Sequence, residues 1–350
     1  MIGVRKKIGI VFHKNPFVSV TGIDQVRLRA MSSSFSKLGF DVEIIATIKN
    51  AGTLENGLRV EPVEILEDRC RYDLIKTSYH WSVKYLKKFE GPVVSRIVRV
   101  IDYKLPERDE VNRRELLDLQ DIIKQRASAL IVNNEENRQR WTNLYGNFPE
   151  VFVIPTGCPA VIPLPGKNPF QTITKNIIFL GSLAAPRMVQ MLNLTAHHLQ
   201  DVAKVHLIGL NKACMYGGDD SCVLDPAIID HGELPENEIW NYIYHADLGL
   251  AFATGPHRFD NDISKILNYL RGGLPVVSES PIINNDLIEQ TGFGLTFDFG
   301  DIYGLIEASR KVLLGSGKTD RAAVMNFMAT KHSWDRRAEV YADIFKKLLV

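Results

Sequence analysis

The chain has 350 residues, 45% hydrophobic and 24% charged, with 42 Lys/Arg against 41 Asp/Glu. That length is too great for one ordinary core and predicts two domains, and the composition excludes a disordered or fibrous chain. A net charge of +1 excludes a general nucleic-acid binder, so no nucleic-acid partner is expected.

The predicted elements alternate between strands and helices. The opening "MIGVRKKIGIVFHKNP" holds an apolar run, 8–12, too short for a signal-peptide core, and reads as a strand over 7–12. A helix is predicted over about 23–38, then strands over 41–47 and 72–78. A helix starts at Trp81, a strand spans 92–98 and a long helix about 112–127. Strand 130–133, helix 135–145 and strand 151–154 complete the first series. The stretch "PTGCPAVIPLPGKNP" carries five prolines and two glycines, continues neither element type and reads as a linker. The pattern restarts with strand 177–181, helix 186–198, strand 204–208, strand 228–231, helix 235–245 and strand 248–253.

The next segment, "DNDISKILNYLRGGLPVVSES", carries a chemical anomaly. At 100° per residue, Ile263, Ile266, Leu267 and Leu270 form one apolar stripe, and Ser264, Lys265 and Asn268 gather opposite it. Gly272 and Gly273 end the helix, and 274–277 reads as a strand. A solvated polar face accounts for the helix taken alone. A strand over 294–297, a helix over 301–314 and further helices close the chain. Two successive strand–helix series predict an α/β fold of two doubly wound, Rossmann-like domains. Ligands of such sheets bind beyond the carboxyl ends of the strands, here in a cleft between the domains.

No run is long enough to span a membrane, and Cys70, Cys158, Cys214 and Cys222 show no CxxC spacing. Reduced thiols and a cytoplasmic location are expected, with no bound metal and no cofactor. Charge is uneven: 25 basic against 20 acidic residues in 1–155, hence 17 against 21 in the remainder. The basic half suits an anionic acceptor or peripheral contact with an anionic inner membrane face, and equally an accident of surface composition. "LLGSGKTD" imitates a phosphate loop, but Val312 occupies its required first glycine, so it reads as a surface turn. Gly22, in the loop before the first helix, lets backbone N–H groups approach a phosphate or sugar. "FLGSLAAPR" repeats that arrangement with Gly181 and Ser182. Its Arg187 lies in a first helical turn, where the dipole disfavours a cation unless an anion is near.

In these residues the chain resembles the GT-B glycosyltransferases, most of all glycosyltransferase family 4. "VFVIPTGC", "IIFLGSL", "VHLIG", "KILNYLRGGLPVVSE" and "HSWDRRAEVYADIFKKLL" follow the family's order. The resemblance spans nearly the whole chain, but its specific motifs lie in the second half. It implies an N-terminal acceptor domain over 1–158, a nucleotide-sugar domain over 159–332 and a helix over 333–350 returning to the first domain. Two family glutamates correspond to Asp260 and Asn268. The first implies a residue facing the transferred sugar, the second a ligand of the nucleotide ribose. The family's Gly-Arg turn is Gly181-Ser182 here, and Lys265 is the cation expected on the donor diphosphate instead. Ser264 and Arg187 join the donor set. Asp102, which follows the strand over 92–98, is a candidate acceptor-side base, although the family's histidine at that strand end is absent and Val98 and Arg99 stand there; His80 is a candidate acceptor contact.

The implied activity is sugar transfer from a nucleotide-diphosphate sugar, a UDP-sugar for preference, to a carbohydrate, lipid-linked or small-molecule acceptor, without a metal. Two rival readings remain open: a nucleotide-sugar epimerase of the same architecture, and a non-catalytic nucleotide-sugar-binding subunit.

Overall fold

The computed structural model describes residues 5–18, 23–68, 71–86, 88–102, 110–171, 173–213, 222–315 and 320–349. The chain divides into two compact units, 1–156 with 334–350, and 157–333.

The first unit contains β1 (Lys7–Phe12), α1 (Ile23–Lys37), β2 (Asp41–Ala46), β3 (Gly52–Thr53), β4 (Arg59–Pro62), β5 (Leu74–Thr77) and β6 (Val93–Arg96). It continues through α2 (Glu110–Arg126), β7 (Ala129–Val132), α3 (Glu135–Tyr145) and β8 (Glu150–Val153). The sheet runs β3-β4-β2-β1-β5-β6-β7-β8, parallel except for the edge pair β3 and β4. Its strands are apolar on both faces because both are covered. Ile8, Ile10 and Phe12 pack with α1 and the C-terminal helix Trp334–Leu348, while Val11, Ile45 and Ile75 pack on the other side with Val83, Leu119 and Trp141.

The last helix packs on this unit, as the family resemblance implied, and does so through its apolar face. Ala338, Tyr341 and Phe345 are buried, and Phe345 lies 5.1 Å from the Phe35 ring. The helix expected from Trp81 is only a 3-10 turn, His80–Tyr85. Pro92, ahead of β6, leaves too little chain for a full helix with an amphipathic stripe. β3 and β4 escaped the reading because a two-residue edge strand and a strand ending in proline carry almost no period-2 signal.

The second unit contains β9 (Lys175–Leu180), α4 (Pro186–Leu199), β10 (Ala203–Ile208), β11 (Ile228–Asp230), α5 (Glu236–His245), β12 (Leu248–Ala251) and α6 (Ser264–Arg271). β13 (Val276–Glu279), α7 (Asn285–Thr291), β14 (Gly294–Phe297), α8 (Ile302–Leu314) and α9 (Arg321–Lys331) complete it. The sheet order is β11-β10-β9-β12-β13-β14, all parallel. One face buries α4 and α8 through Met188, Leu192, Leu305 and Leu313, and the other buries α5, α6 and α9 through Ile243, Leu267 and Met328.

The strand expected over 274–277 begins two residues later and runs to Glu279. Gly273, at φ +69, makes the left-handed exit from α6, and Gly272 remains in helical geometry. Cys158 and Cys222 are buried, while Cys70 and Cys214 lie outside the described residues. Among the described residues no helix is long and apolar enough to cross a membrane.

Candidate functional site

The second unit begins in the middle of its own sheet. From β9 the chain builds outward through β10 and β11, then crosses back to β12 and builds the other way through β13 and β14. The connections leaving β9 and β12 therefore depart in opposite directions, which opens a crevice at their carboxyl ends. α4 and α6 follow these two strands. Each starts without a side-chain cap, after Ala185 and Ile263, so first-turn N–H groups face the crevice without a side-chain acceptor.

β9 and β12 pair through Leu248–Ile177, Gly249–Ile178 and Leu250–Phe179, and then separate. The buried Tyr269 hydroxyl fills the gap. It accepts from the Leu180 N–H at 2.8 Å and donates to the Leu250 carbonyl at 3.2 Å. A Cβ at Gly249 would lie 2.6 Å from the Tyr269 ring, so this strand position must be glycine. Tyr269 had been legible only as part of an apolar helix; a hydroxyl inside a core is the signal that it bonds to something there. Tyr269→Phe is expected to lower stability by about 1–3 kcal/mol, because it leaves a buried N–H without an acceptor. Urea unfolding checks this, and a change below about 0.5 kcal/mol would remove the tyrosine from the account of how the crevice is held.

Gly181 ends β9 at φ +99, and the carbonyl of Gly181 would lie 2.2 Å from a Cβ on Gly209, so the two loops lie backbone against backbone. A methyl group on Gly181 would meet Lys265 Cε at 4.0 Å. Lys265 reaches back from the first turn of α6 and sets its Nζ 3.7 Å from the centre of the Phe179 ring. Among the described residues it has no hydrogen-bond acceptor and no carboxylate. Burial lowers its pKa from 10.5 to about 7. A half-buried lysine in the first turn of a helix, whose ammonium meets an aromatic ring and no carboxylate among the described residues, is poised for an anion. Ser264 and Asn268 lie half-buried on the same helix, and Ser182 half-buried in the facing loop. Of the expected donor residues, Gly181 and Lys265 thus lie side by side, and Ser264 and Asn268 share the helix of Lys265.

Asp260 ends the 3-10 turn Arg258–Asp260 between β12 and α6 and is half-buried. Its loop is shaped by Asn261, a fully buried residue that the sequence reading missed. Asn261 Oδ1 accepts from the Thr254 N–H and hydroxyl, at 2.8 and 3.0 Å, and its amide donates to the Gly255 and His257 carbonyls, both at 2.8 Å.

Arg187 requires a correction. The anion that its placement in a first helical turn demands is supplied by the chain itself. Glu279, wholly buried at the end of β13, receives Arg187 Nη1 and Nη2 at 2.6 and 3.1 Å, and also accepts from the Ala253 and Gly300 N–H groups at 2.8 Å. The guanidinium is committed to that carboxylate and to the Ala253 carbonyl at 2.6 Å, so it is not a free phosphate ligand.

Two candidates in the first unit are also corrected. Asp102 is salt-bridged to Arg140 at 2.9 Å, so its carboxylate is engaged by a guanidinium of its own unit. His80 is 5% exposed and packed between the Tyr79 and Trp81 rings, and among the described residues neither ring nitrogen has a hydrogen-bond partner. Burial, with His13 and Arg96 nearby, lowers its pKa to about 3. It is a neutral, enclosed imidazole and not an exposed acceptor contact. Gly22 lies outside the described residues.

No protein-family model matches the chain, and no curated protein matches its sequence. Solved structures do match its fold. Sucrose-phosphate synthase from Thermosynechococcus elongatus is similar over 98% of this chain and 99% of its own, with 13% identity and a TM-score of 0.74. HepE from Anabaena, solved with UDP and glucose, matches over 98% and 100%, with 14% identity and a TM-score of 0.71. WaaG, a glycosyltransferase involved in lipopolysaccharide biosynthesis, matches over 98% and 97%, with 14% identity and a TM-score of 0.62. Likeness at these identities is a likeness of fold, and the fold is GT-B.

Proposed function

We propose that the chain is a glycosyltransferase that moves a sugar from a nucleotide-diphosphate sugar, a UDP-sugar for preference, to a carbohydrate, lipid-linked or small-molecule acceptor. One observation carries the reading: Lys265, without an anionic partner among the described residues, stands beside Gly181 in the first turn of α6, at the strand-order reversal of the second unit. That is the chemistry a diphosphate needs. HepE, of the same fold, has been solved with UDP-glucose.

Departure of a nucleoside diphosphate leaves negative charge on its terminal phosphate. Lys265 and the N–H groups that open α4 and α6 stabilise that charge, which makes a divalent cation unnecessary in this reading. Asn268, one turn further along α6, hydrogen-bonds the ribose diol as a neutral donor and acceptor. Asp260, in the loop leading to that helix, faces the sugar and offsets positive charge growing at the anomeric carbon. The basic excess in residues 1–155 suits an anionic acceptor or the surface of an anionic membrane on the cytoplasmic side.

The test is turnover of a panel of UDP-, GDP- and ADP-sugars in the presence of EDTA, followed by two variants. Asp260→Asn should cut turnover by about tenfold or more, yet leave affinity for UDP within about twofold, since its contact strengthens in the transition state. Asn268→Ala should do the reverse. Full turnover in Asp260→Asn would remove that residue from the mechanism, and activity recovered only when Mg²⁺ or Mn²⁺ is added would overturn the metal-free reading.

A further inference from the structure

The first unit buries three cations together: Arg27 on α1 at 7% exposure, Lys76 on β5 at 3% and Arg96 at the end of β6 at 3%. Among the described residues the carboxylate facing them is Asp24, which pairs with Arg27 at 2.8 Å and is shared with Lys14 at 3.4 Å. Among the described residues Lys76 Nζ meets only the Thr77 carbonyl, at 3.3 Å, and the face of the Tyr341 ring, at 5.0 Å, and the buried Arg27 Nε and Arg96 Nη1 meet no acceptor.

These side chains line one small cavity of about 10 Å³, together with Trp334, Tyr341, Pro155 and Arg337. Pro155 is exposed and Arg337 half-buried, so the cavity reaches the surface beside them. A volume of this size admits one oxygen atom and not a whole oxyanion. Buried cations in excess of their counter-charge, with N–H groups that meet no acceptor, are costly unless an anion completes them. Until one does, the cluster loses charge where it can. Burial, with Arg27 and Arg96 beside it, pushes the Lys76 ammonium well below its ordinary pKa.

We propose that this cluster is an anion site that takes one oxygen of a phosphate group, free or carried by a sugar, presented at the mouth between Pro155 and Arg337. Two guanidinium forks and an ammonium against one carboxylate match a doubly charged phosphate better than a singly charged carboxylate. The site is separate from the diphosphate site around Lys265 and does not depend on the proposed activity.

The experiment is thermal unfolding of the full chain at constant ionic strength in chloride, inorganic phosphate or glucose 6-phosphate. Phosphate at a hundred times its dissociation constant should raise the melting temperature by about 5–10 °C, with chloride as the baseline. Lys76→Met should abolish this rise, and Lys265→Ala should retain it. If Lys76→Met does not fold, Arg337→Gln at the mouth is used, and it should weaken phosphate at least about threefold. A response confined to glucose 6-phosphate identifies a sugar-borne phosphate, and an equal response to inorganic phosphate identifies the free ion. No response to either phosphate, or a response lost in Lys265→Ala and kept in Lys76→Met, would overturn the proposal.

Discussion

Arg187→Met is expected to cost the chain about 3–5 kcal/mol of stability, more than the loss expected for Tyr269→Phe. The reason lies in Glu279. Its carboxylate is wholly buried at the end of β13, and Arg187 supplies the only side-chain cation that meets it among the described residues, through two contacts at 2.6 and 3.1 Å. Removal of the guanidinium leaves that carboxylate with the Ala253 and Gly300 N–H groups alone. Those bonds solvate an anion but do not neutralise it. The arginine also stacks on Phe299, with its guanidinium carbon 4.3 Å from the ring centre, so some packing is lost as well. Chemical denaturation of Arg187→Met, Glu279→Gln and the double variant isolates the pair. The double variant should recover much of the loss, because no unpaired charge remains. A single-variant loss below about 1 kcal/mol would return Arg187 to the set of free cations and reopen its role as a phosphate ligand.

Lys265→Ala is expected to weaken nucleoside diphosphate binding by about tenfold to over a hundredfold, the equivalent of roughly 1.5–3 kcal/mol for a charge-assisted contact. Uridine alone should bind as before, since the lysine meets the diphosphate and not the nucleoside. Equal losses for both would make the lysine a structural residue. The pH dependence supplies an independent readout. With its pKa lowered to about 7, the free protein loses the ammonium as pH rises through neutrality. A bound diphosphate favours the protonated form and raises that pKa. Affinity for a nucleotide-sugar, whose diphosphate stays ionised throughout, should therefore be flat below about pH 7 and fall above it by up to tenfold per unit. The stability of the unliganded chain has the opposite slope. Between about 7 and 10.5 the unfolded lysine holds a proton that the folded one has released, so stability rises with pH across that window and Lys265→Ala flattens it. Isothermal titration at pH 6, 7, 8 and 9 checks the first slope, and denaturation over the same range the second.

Much of the architecture was present in local pattern. Residues 7–12 and 294–297 read as strands and 135–145 as a helix, and Lys7–Phe12, Gly294–Phe297 and Glu135–Tyr145 have those bounds. The apolar run over 8–12 marks a buried strand, and Asn134 and Gly146 mark the two ends of the helix. The polar face of α6 was legible for the same reason, since helical geometry alone sets Ser264, Lys265 and Asn268 apart from Ile266, Leu267 and Leu270.

What the sequence determined by itself is therefore the alternation of elements, the two-unit plan and the helical face that bears Lys265. Each follows from contacts within a few residues or from a run of one polarity. Tertiary structure alone decided the partners of the charges. Arg187 and Glu279 are 92 residues apart in the chain, Asp102 and Arg140 38 apart, and nothing local marks either pair. The Tyr269 hydroxyl between β9 and β12, the burial of His80 and the crowding of Arg27, Lys76 and Arg96 likewise arise only when separate strands and helices converge. A charged side chain's chemistry depends on which opposite charge, ring or water it meets, and that is settled by packing over distances that no sequence window spans.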